Sequence, residues 1–207
     1  MPIIAGRASA AYGAGFAAIT DLFPTSYDSI ASTLVGAGGA SNVTFSSIPQ
    51  TYTHLQVRAF GRTDRPTYNV GSYSLIVNGD TGSNYSRHYI RSVPASPGTS
   101  VDAGGAGSVN YIDLGQFAGS TATSGIFGTG ITDILDYTNT NKYKAVKHLG
   151  GVDTNGAASG VAGFVQMSSG AWINTNAITS LTFTPIEGAS NFVQYTFFAL
   201  YGIKGVA

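Results

Sequence analysis

Charged residues are scarce in this chain, which limits the secondary structure that it can form. Glutamate occurs once, at Glu187, and charged residues make up 10% of the 207 residues, beside 28 glycines, 12 tyrosines and 11 phenylalanines. Glutamate, lysine and arginine are good helix formers, whereas aromatic and β-branched residues favour strands. The composition therefore predicts an all-β protein. The same scarcity leaves few general acids, bases or metal ligands, which favours a structural or binding protein over an enzyme.

Length, charge and cysteine content narrow the class further. The length fits one β domain with a short extension. Ten basic residues balance ten acidic ones, so no long-range field attracts nucleic acid or an anionic membrane. Cysteine is absent, and the first residues lack the basic start and unbroken apolar run of a secretion signal, which predicts synthesis in a cytoplasm. No apolar run reaches about 18 residues, so the sequence predicts no membrane-spanning helix.

Residues 1–24 differ in composition from the rest and are predicted to form an N-terminal extended arm. Small residues dominate, Gly6, Gly13 and Gly15 interrupt any helix, and Pro24 closes the segment. A frayed terminus is the ordinary alternative for a chain end, but disordered tails are usually poorer in apolar residues. We therefore expect an arm that orders against a partner subunit. The residues expected to carry this contact are Ile3, Ile4, Tyr12, Phe16, Ile19, Leu22 and Phe23.

Residues 25–207 are predicted to form one β domain, because strand-length runs alternate there with turn residues. Glycine and asparagine turns without a helical period between them indicate an antiparallel β-sandwich, and within that class we predict a jelly roll. The predicted strands are 28–35, 42–48, 53–61, 72–78, 85–92, 108–115, 126–137, 142–150, 161–168, 178–184 and 192–203.

Turn residues connect particular runs. GAGGAS between 28–35 and 42–48 permits positive φ, so these two runs are predicted to form a hairpin. TNTN before residue 142 predicts another hairpin, and the sequence NGD at 78–80 predicts a tight turn. The final run, 192–203, is apolar on both faces, which predicts a central strand inside a sheet, buried between two layers.

No common catalytic motif occurs in the sequence, including the G-x-S-x-G elbow, the Walker loop and H-E-x-x-H. The histidines His54, His88 and His148 lie far apart, so we interpret them as ordinary polar residues and predict no cofactor. Asp133 and Asp136 have an odd spacing on one predicted strand, which places them on opposite faces. They therefore do not form the carboxylate pair of a glycan-cleaving enzyme, and a depolymerase is the weakest hypothesis.

Asp80, with Asn78 and Asn84, offers oxygen ligands for calcium, but the segment lacks the pattern of an EF-hand loop and a simple turn is favoured.

Five of the six arginines form a second candidate site, as a basic patch that contacts another subunit or an acidic glycan, if their strands are neighbours. The alternative is that they pair with local aspartates such as Asp64 and Asp80. Trp172 is a sugar platform or, more often for a single tryptophan, part of the core. The candidate contact residues are Arg58, Arg62, Arg65, Arg87, Arg91, Tyr68, Tyr73, Tyr85, Tyr89 and Trp172.

Several segments carry a likeness to known proteins. SNVTFSSIPQTYTHLQVRAFGR, NGDTGSNYSRH, ILDYTNTNKYKAVKHLGG, NTNAITSLTFTP and FVQYTFFALYGIKG resemble a group of virion proteins of tailed bacteriophages, found among tail-fibre-like and minor structural proteins. The likeness covers most of residues 28–205, and the first twenty residues resemble the attachment segment of such proteins. The family has no catalytic motif, so the resemblance implies a particle component.

These features together predict a non-enzymatic virion structural protein that is made in the host cytoplasm. Its arm would anchor it to a capsid or tail protein, and its β-sandwich would serve as a capsid decoration or tail-fibre module. Homotrimers are expected, because viral jelly rolls commonly assemble around three-fold axes. The alternative function is a carbohydrate-binding module of a tail fibre that recognises a host receptor. Sequence leaves head or tail location, stoichiometry and receptor open.

Overall fold

A computed structural model describes residues 26–95, 98–154, 162–187 and 190–205. The predicted arm, with its seven apolar residues, lies outside the described residues. Within the described part every regular element is a β-strand, and no helix there is long and apolar enough to cross a membrane. The strands are β1 (Tyr27–Leu34), β2 (Val43–Phe45), β3 (His54–Gly61), β4 (Val70–Val77), β5 (Tyr85–Ala95), β6 (Gly98–Val109), β7 (Ile112–Ala118), β8 (Gly128–Leu135), β9 (Lys144–Asp153), β10 (Gly163–Trp172), β11 (Leu181–Pro185) and β12 (Phe197–Ile203).

The strands form two antiparallel sheets. The larger sheet has eight strands in the order β1-β12-β3-β8-β9-β10-β5-β6, and the smaller has four in the order β2-β11-β4-β7. All pairings between neighbouring strands are antiparallel. The predicted all-β antiparallel sandwich is therefore confirmed. We call the side of the larger sheet that faces the smaller sheet its inner face, and the opposite side its outer face.

The core lies between the two sheets and centres on aromatic rings. Phe198 of β12 packs against Phe183 and Phe192, with ring centroids 4.9 and 5.2 Å apart, and Tyr73 stacks on Phe117 at 3.9 Å. All five side chains are at most 1% exposed. Gly61 makes room for this cluster, because an added Cβ there would lie 2.4 Å from the Phe117 ring. Side chains from both sheets thus fill one continuous interior.

In the sequence 53–61, Leu55, Val57 and Ala59 alternate with His54, Gln56, Arg58 and Phe60, which predicts one core face and one partly wet face, and β3 has these two faces. Leu55, Val57 and Ala59 are buried on the inner face, while Arg58 and Phe60 are exposed on the outer face. The hairpin predicted at TNTN is confirmed, since β8 and β9 pair directly. The predicted tight turn at 78–80 is also confirmed by a hydrogen bond from the Asp80 amide to the Val77 carbonyl, 2.9 Å. β12 lies inside its sheet, between β1 and β3, as predicted for the last run. The predicted burial between two layers is wrong, because the described residues cover only its inner face and Phe197 is 36% exposed.

The hairpin predicted around GAGGAS is wrong, because β1 and β2 belong to different sheets. The glycine-rich segment pairs instead with the residues that precede β12. The Val35 amide donates to the Thr196 carbonyl, and Ala40 and Phe192 exchange two backbone hydrogen bonds of 2.8 and 2.9 Å. The segment therefore carries the chain from one sheet to the other, and its glycines serve a crossing rather than a reversal.

Strand β6 was not predicted, because its sequence, GTSVDAGGAGSV, is rich in small residues that are poor strand formers. Side chains of β5 compensate for the glycines. An added Cβ at Gly104 would lie 2.7 Å from the Tyr89 hydroxyl, and one at Gly105 would lie 2.3 Å from the His88 ring. The two rings thus lie over the glycines on opposite faces of the sheet. The run predicted at 108–115 is also wrong, since it spans the bend between β6 and β7.

Candidate functional site

The five candidate arginines do not form one basic patch. Arg58 lies in β3, whereas Arg87 and Arg91 lie in β5, and strands β8, β9 and β10 separate the two. Arg58 also points to the outer face, while Arg87 and Arg91 point to the inner face. The condition on which the predicted patch depended, neighbouring strands, is therefore not met.

Arg62 holds a loop in place rather than facing a partner. Its guanidinium donates hydrogen bonds of 2.8 to 3.1 Å to four backbone carbonyls of the loop between β7 and β8. Partial burial lowers its pKa from the ordinary value. The four acceptors are Ser120, Ala122, Thr123 and Ile126.

Arg65 is the partner of the single glutamate. Its Nη1 atom lies 2.9 Å from Oε1 of Glu187, and its guanidinium stacks over the Tyr68 ring at 3.8 Å. Glu187 also accepts hydrogen bonds from the Ser72 amide and hydroxyl, at 2.7 and 2.9 Å. The Glu187 carboxylate thus joins the loop after β11 to β4.

Arg87 and Arg91 lie on the inner face of β5 with Tyr89 between them, next to the edge of the smaller sheet. Arg91 forms a 2.7 Å ion pair with Asp102 of β6 and lies near the Tyr89 ring, whereas Arg87 lies 4.0 Å from Asp113 of β7. Local ion pairs thus account for Arg65 and Arg91, whereas the buried Nη1 of Arg87, 4.0 Å from Asp113, has no hydrogen-bond partner among the described residues. The acidic partners are Glu187, Asp102 and Asp113, and not the predicted Asp64 and Asp80.

Tyr85 and Trp172 are buried, at 0% and 1% exposure, so neither can contact a glycan or a partner subunit. The surface roles predicted for Tyr85 and for Tyr73, which is 1% exposed in the aromatic core, are wrong. The sugar-platform role of Trp172 is also wrong, and its alternative, a place in the core, is confirmed. The indole Nε1 of Trp172 donates to Asp80, 2.8 Å, and the Tyr85 hydroxyl donates to the Asp80 carbonyl, 2.7 Å.

Asp80 therefore fixes the turn after β4 to the core. Its carboxylate also accepts from the Gly82 amide, 2.9 Å, and from the Asn84 side chain. Hydrogen bonds from Trp172 and Asn84 lower the pKa of Asp80. These contacts occupy the oxygens that a calcium ion would need, which supports the turn interpretation. No group of three potential metal-ligating side chains occurs within residues 26–95, 98–154, 162–187 and 190–205.

Two polar residues that were assigned no role are buried on the inner face. His148 lies against the Thr132 hydroxyl, 2.9 Å from Nδ1, and burial lowers its pKa to about 3. Lys144 is fully buried, and its ammonium donates to three backbone carbonyls, those of Asn139, Lys142 and Thr175. Both side chains have local partners, so they stabilise the interior and its turns.

The outer face of the larger sheet is unusually apolar for an exposed surface. Among the described residues fifteen large apolar side chains are exposed, and eleven of them lie on this face. Exposed apolar patches of this kind mark interaction sites more often than bare surface. The eleven are Tyr27, Leu34, Phe60, Ile90, Val101, Ile131, Leu135, Leu149, Val165, Met167 and Phe197.

The centre of this surface is a row of four side chains on four adjacent strands. Ile131 of β8 is paired with Leu149 of β9, Leu149 with Met167 of β10, and Met167 with Ile90 of β5. Their exposed fractions are between 40% and 53%. We call this set the central row. Paired residues lie directly across from one another in an antiparallel ladder, so the four side chains form one continuous strip.

Polar residues border the central row on one side, and shallow depressions lie on and beside it. Asp133, Lys147, Ser169 and His88 form the next row across the same four strands. A depression of about 310 Å³ lies between His88, Lys147 and Met167. Two more, of about 520 and 220 Å³, are lined by residues that include Val165. The surface thus has an apolar centre with a polar margin, which is the composition of a protein–protein contact.

Sequence reasoning treated each strand separately and did not combine the faces of neighbouring strands, so it missed this surface. The available signal was strand runs whose two alternating sets are both apolar, such as ITDIL in β8, where Ile131 and Leu135 flank Asp133. Among the known proteins compared, no family model matches the chain, and no curated protein matches it. The resemblance to phage virion proteins therefore stays a prediction.

Proposed function

We propose that this chain is a structural component of a tailed-bacteriophage particle, held in place by burial of apolar surface. The observation that carries the proposal is the apolar outer face of the larger sheet, with eleven exposed large side chains. A chain with a formal net charge of zero and 10% charged residues has little long-range electrostatic attraction to offer a partner. Contacts made by such a chain depend mainly on apolar area and shape, as in permanent assemblies.

The N-terminal arm is the proposed anchor to a neighbouring capsid or tail protein. Residues 1–24 are rich in small and apolar residues. They precede β1, which begins at Tyr27 and is an edge strand of the larger sheet. An arm attached at a sheet edge can extend away from the domain without disturbing the core. The sandwich would then serve as a capsid decoration or fibre module on the assembled particle.

The finer fold assignment, a jelly roll, and the homotrimer belong to the same proposal. Strands β2, β3, β4 and β5 alternate between the smaller and the larger sheet, as jelly-roll connections do. A usual jelly roll has eight strands in its two sheets together, whereas here the larger sheet alone has eight and the smaller has four. Three-fold assembly is argued by analogy with viral jelly rolls and from closed symmetry, which lets one apolar surface bury itself in every copy.

Removal of the arm tests the anchoring role. Particles would be assembled in cells that supply either the full chain or residues 24–207, then purified and probed for the protein by quantitative mass spectrometry. We expect the full chain in particles and at least a tenfold loss of the truncated one, while its circular dichroism keeps a β spectrum. Normal incorporation of the truncated chain would contradict the anchor, and absence of the full chain from particles would contradict the proposed function itself.

A carbohydrate-binding receptor module is the second candidate, and one observation favours it. On the inner face beside the smaller sheet, the guanidinium of Arg87 lies 4.8 Å from the Tyr111 ring centroid, and that of Arg91 lies 5.3 Å from the Phe164 ring centroid. Guanidinium and aromatic groups together suit an acidic sugar. Binding of a host polysaccharide on a glycan array, lost in Arg91→Ala, would support it. No binding at millimolar glycan would end it.

A further inference from the structure

The outer face is wide enough to form the centre of a stable interface. Strands lie about 4.8 Å apart, and residues on one face of a strand about 7 Å apart, so a band two residues deep across eight strands covers roughly 500 Å². A standard interface buries about 800 Å² on each partner, with an apolar centre and a polar rim. The band, from Leu34 on β1 to Val101 on β6, supplies more than half of that area, and its polar margin extends it.

The charges on this face do not select an oppositely charged partner. Asp133 and Lys147 are directly paired across β8 and β9, so their charges offset each other. Arg58 lies 5.5 Å from the Tyr201 ring centroid, and its charge is balanced on this face by that of Asp153, which alternation along β9 places on the same side as Leu149. A nucleic acid or an acidic peptide would therefore find no excess of positive charge here. The complement that the surface needs is another apolar surface of similar size.

We propose that the outer face is the contact between copies of this chain, with the central row in the middle of the interface. A second copy supplies an apolar surface of the required area at the same concentration as the first, and in a three-fold ring one part of the outer face would contact a different part of the outer face of the next copy. The inference deepens the proposed assembly function, on which it rests, by naming its surface and its partner.

The depressions and protruding side chains of the outer face support a closely packed contact between copies. Met167 lines two of the depressions, one with His88 and Lys147 and the other with Val101 and Val165. Methionine adapts its flexible side chain to irregular gaps, and such residues are common where surfaces must fit each other. Protruding side chains of one copy, such as Leu149, can thus enter depressions of the next.

The test compares the oligomeric state of the purified full chain with that of two double variants. The interface variant is Leu149→Lys with Met167→Glu, which places opposite charges on paired positions of the central row. The matched control is Tyr143→Lys with Ile173→Glu; these two side chains are 57% and 43% exposed but lie outside the strands. Mass would be measured by sedimentation equilibrium and light scattering, and folding by circular dichroism.

We expect the wild type and the control to have a mass of three times 21.3 kDa, and the interface variant to have the mass of one chain. Its dissociation constant should rise at least 100-fold, because two half-buried apolar groups are replaced by charges that would be desolvated. A two-chain wild type dissociated by the same variant would support the surface and overturn three-fold symmetry.

Three results would overturn the inference. These are a wild type with the mass of one chain at millimolar concentration, an interface variant that stays oligomeric, and a wild type that oligomerises only after residues 1–25 are removed. The last would mean that the chain's own N-terminal segment covers the face. Each of these results is measured on the purified chain in solution and does not depend on incorporation into particles. A wrong contact surface is therefore distinguishable from a wrong proposed function.

Discussion

The two faces of the larger sheet are both lined with apolar side chains, but described residues cover only one of them. Neighbouring residues of β12 show the contrast, since Phe198 points inward and is fully buried, whereas Phe197 points outward and is 36% exposed. In β8, Ile134 is buried and Ile131 is 40% exposed. An ordinary antiparallel sandwich has polar residues on its outer faces. We therefore propose that association, and not the folding of the described residues, buries the outer face.

This comparison predicts opposite behaviour for equivalent substitutions on the two faces. Inner-face changes should alter the free energy of unfolding at any protein concentration. Outer-face changes should leave the folding of the separate chain almost unchanged and should act on association instead.

Phe198→Ala should have the largest effect. Phe198 packs against Phe183 and Phe192 in the aromatic cluster, and its loss leaves a cavity between the sheets. We expect the free energy of unfolding to fall by about 3–5 kcal/mol, as measured by urea denaturation. Phe197→Ala is the matched control on the same strand. At protein concentrations low enough to separate the copies, it should cost less than about 1 kcal/mol, and an equal loss in the two variants would contradict the distinction between the faces.

The sequence predicts the sandwich because strand patterns are local, and it fails where tertiary contacts decide. The alternation in β3 and the TNTN hairpin depend on neighbouring residues and were predicted. The path of GAGGAS depends on pairing with residues 192–196, more than 150 positions away, and was not. Strand β6 forms because Tyr89 and His88 cover its glycines, a contact between strands that propensity does not contain.

The candidate site was harder to predict for the same reason. Arginines close in sequence, such as Arg58 and Arg62, have different surroundings, because one points outward from a strand and the other donates to a distant loop. Residue type suggested binding, but burial and partners determine whether a side chain is available. The outer face required knowledge of which strands are adjacent, since its central row draws one residue from each of four strands.

Acid should destabilise the fold through His148 on the inner face. Its pKa is about 3 in the folded protein and about 6.5 in an unfolded chain. Between these values the unfolded chain binds a proton that the folded protein does not, so the free energy of unfolding falls as the pH falls. The slope approaches 1.4 kcal/mol per pH unit, which gives a loss of about 2–3 kcal/mol from pH 6 to pH 4. Urea denaturation at several pH values measures it.

A variant of this histidine separates its contribution from that of other groups. His148→Asn should flatten the slope between pH 6 and pH 4, whatever its effect at neutral pH. Asp80 and Asp136 have lowered pKa values and lose their contributions only below about pH 4. An unchanged slope in His148→Asn would show that the folded protein accepts the proton at this site.

Ile131→Thr should have the smallest effect on folding and so gives the sharpest test of the outer face. Threonine keeps the β-branched shape that strands favour, and an exposed site tolerates its hydroxyl, so the separate chain should change by no more than about 0.5 kcal/mol. Ile134→Thr, three residues on and buried, should cost about 2–3 kcal/mol, because the hydroxyl lacks water and apolar contacts are lost. The effect of the two variants on association should have the opposite order. Sedimentation should show weaker association for Ile131→Thr, while Ile134→Thr associates normally as long as it is folded. If Ile131→Thr changed neither folding nor association, the central row would be bare surface, and the outer face would have no part in assembly.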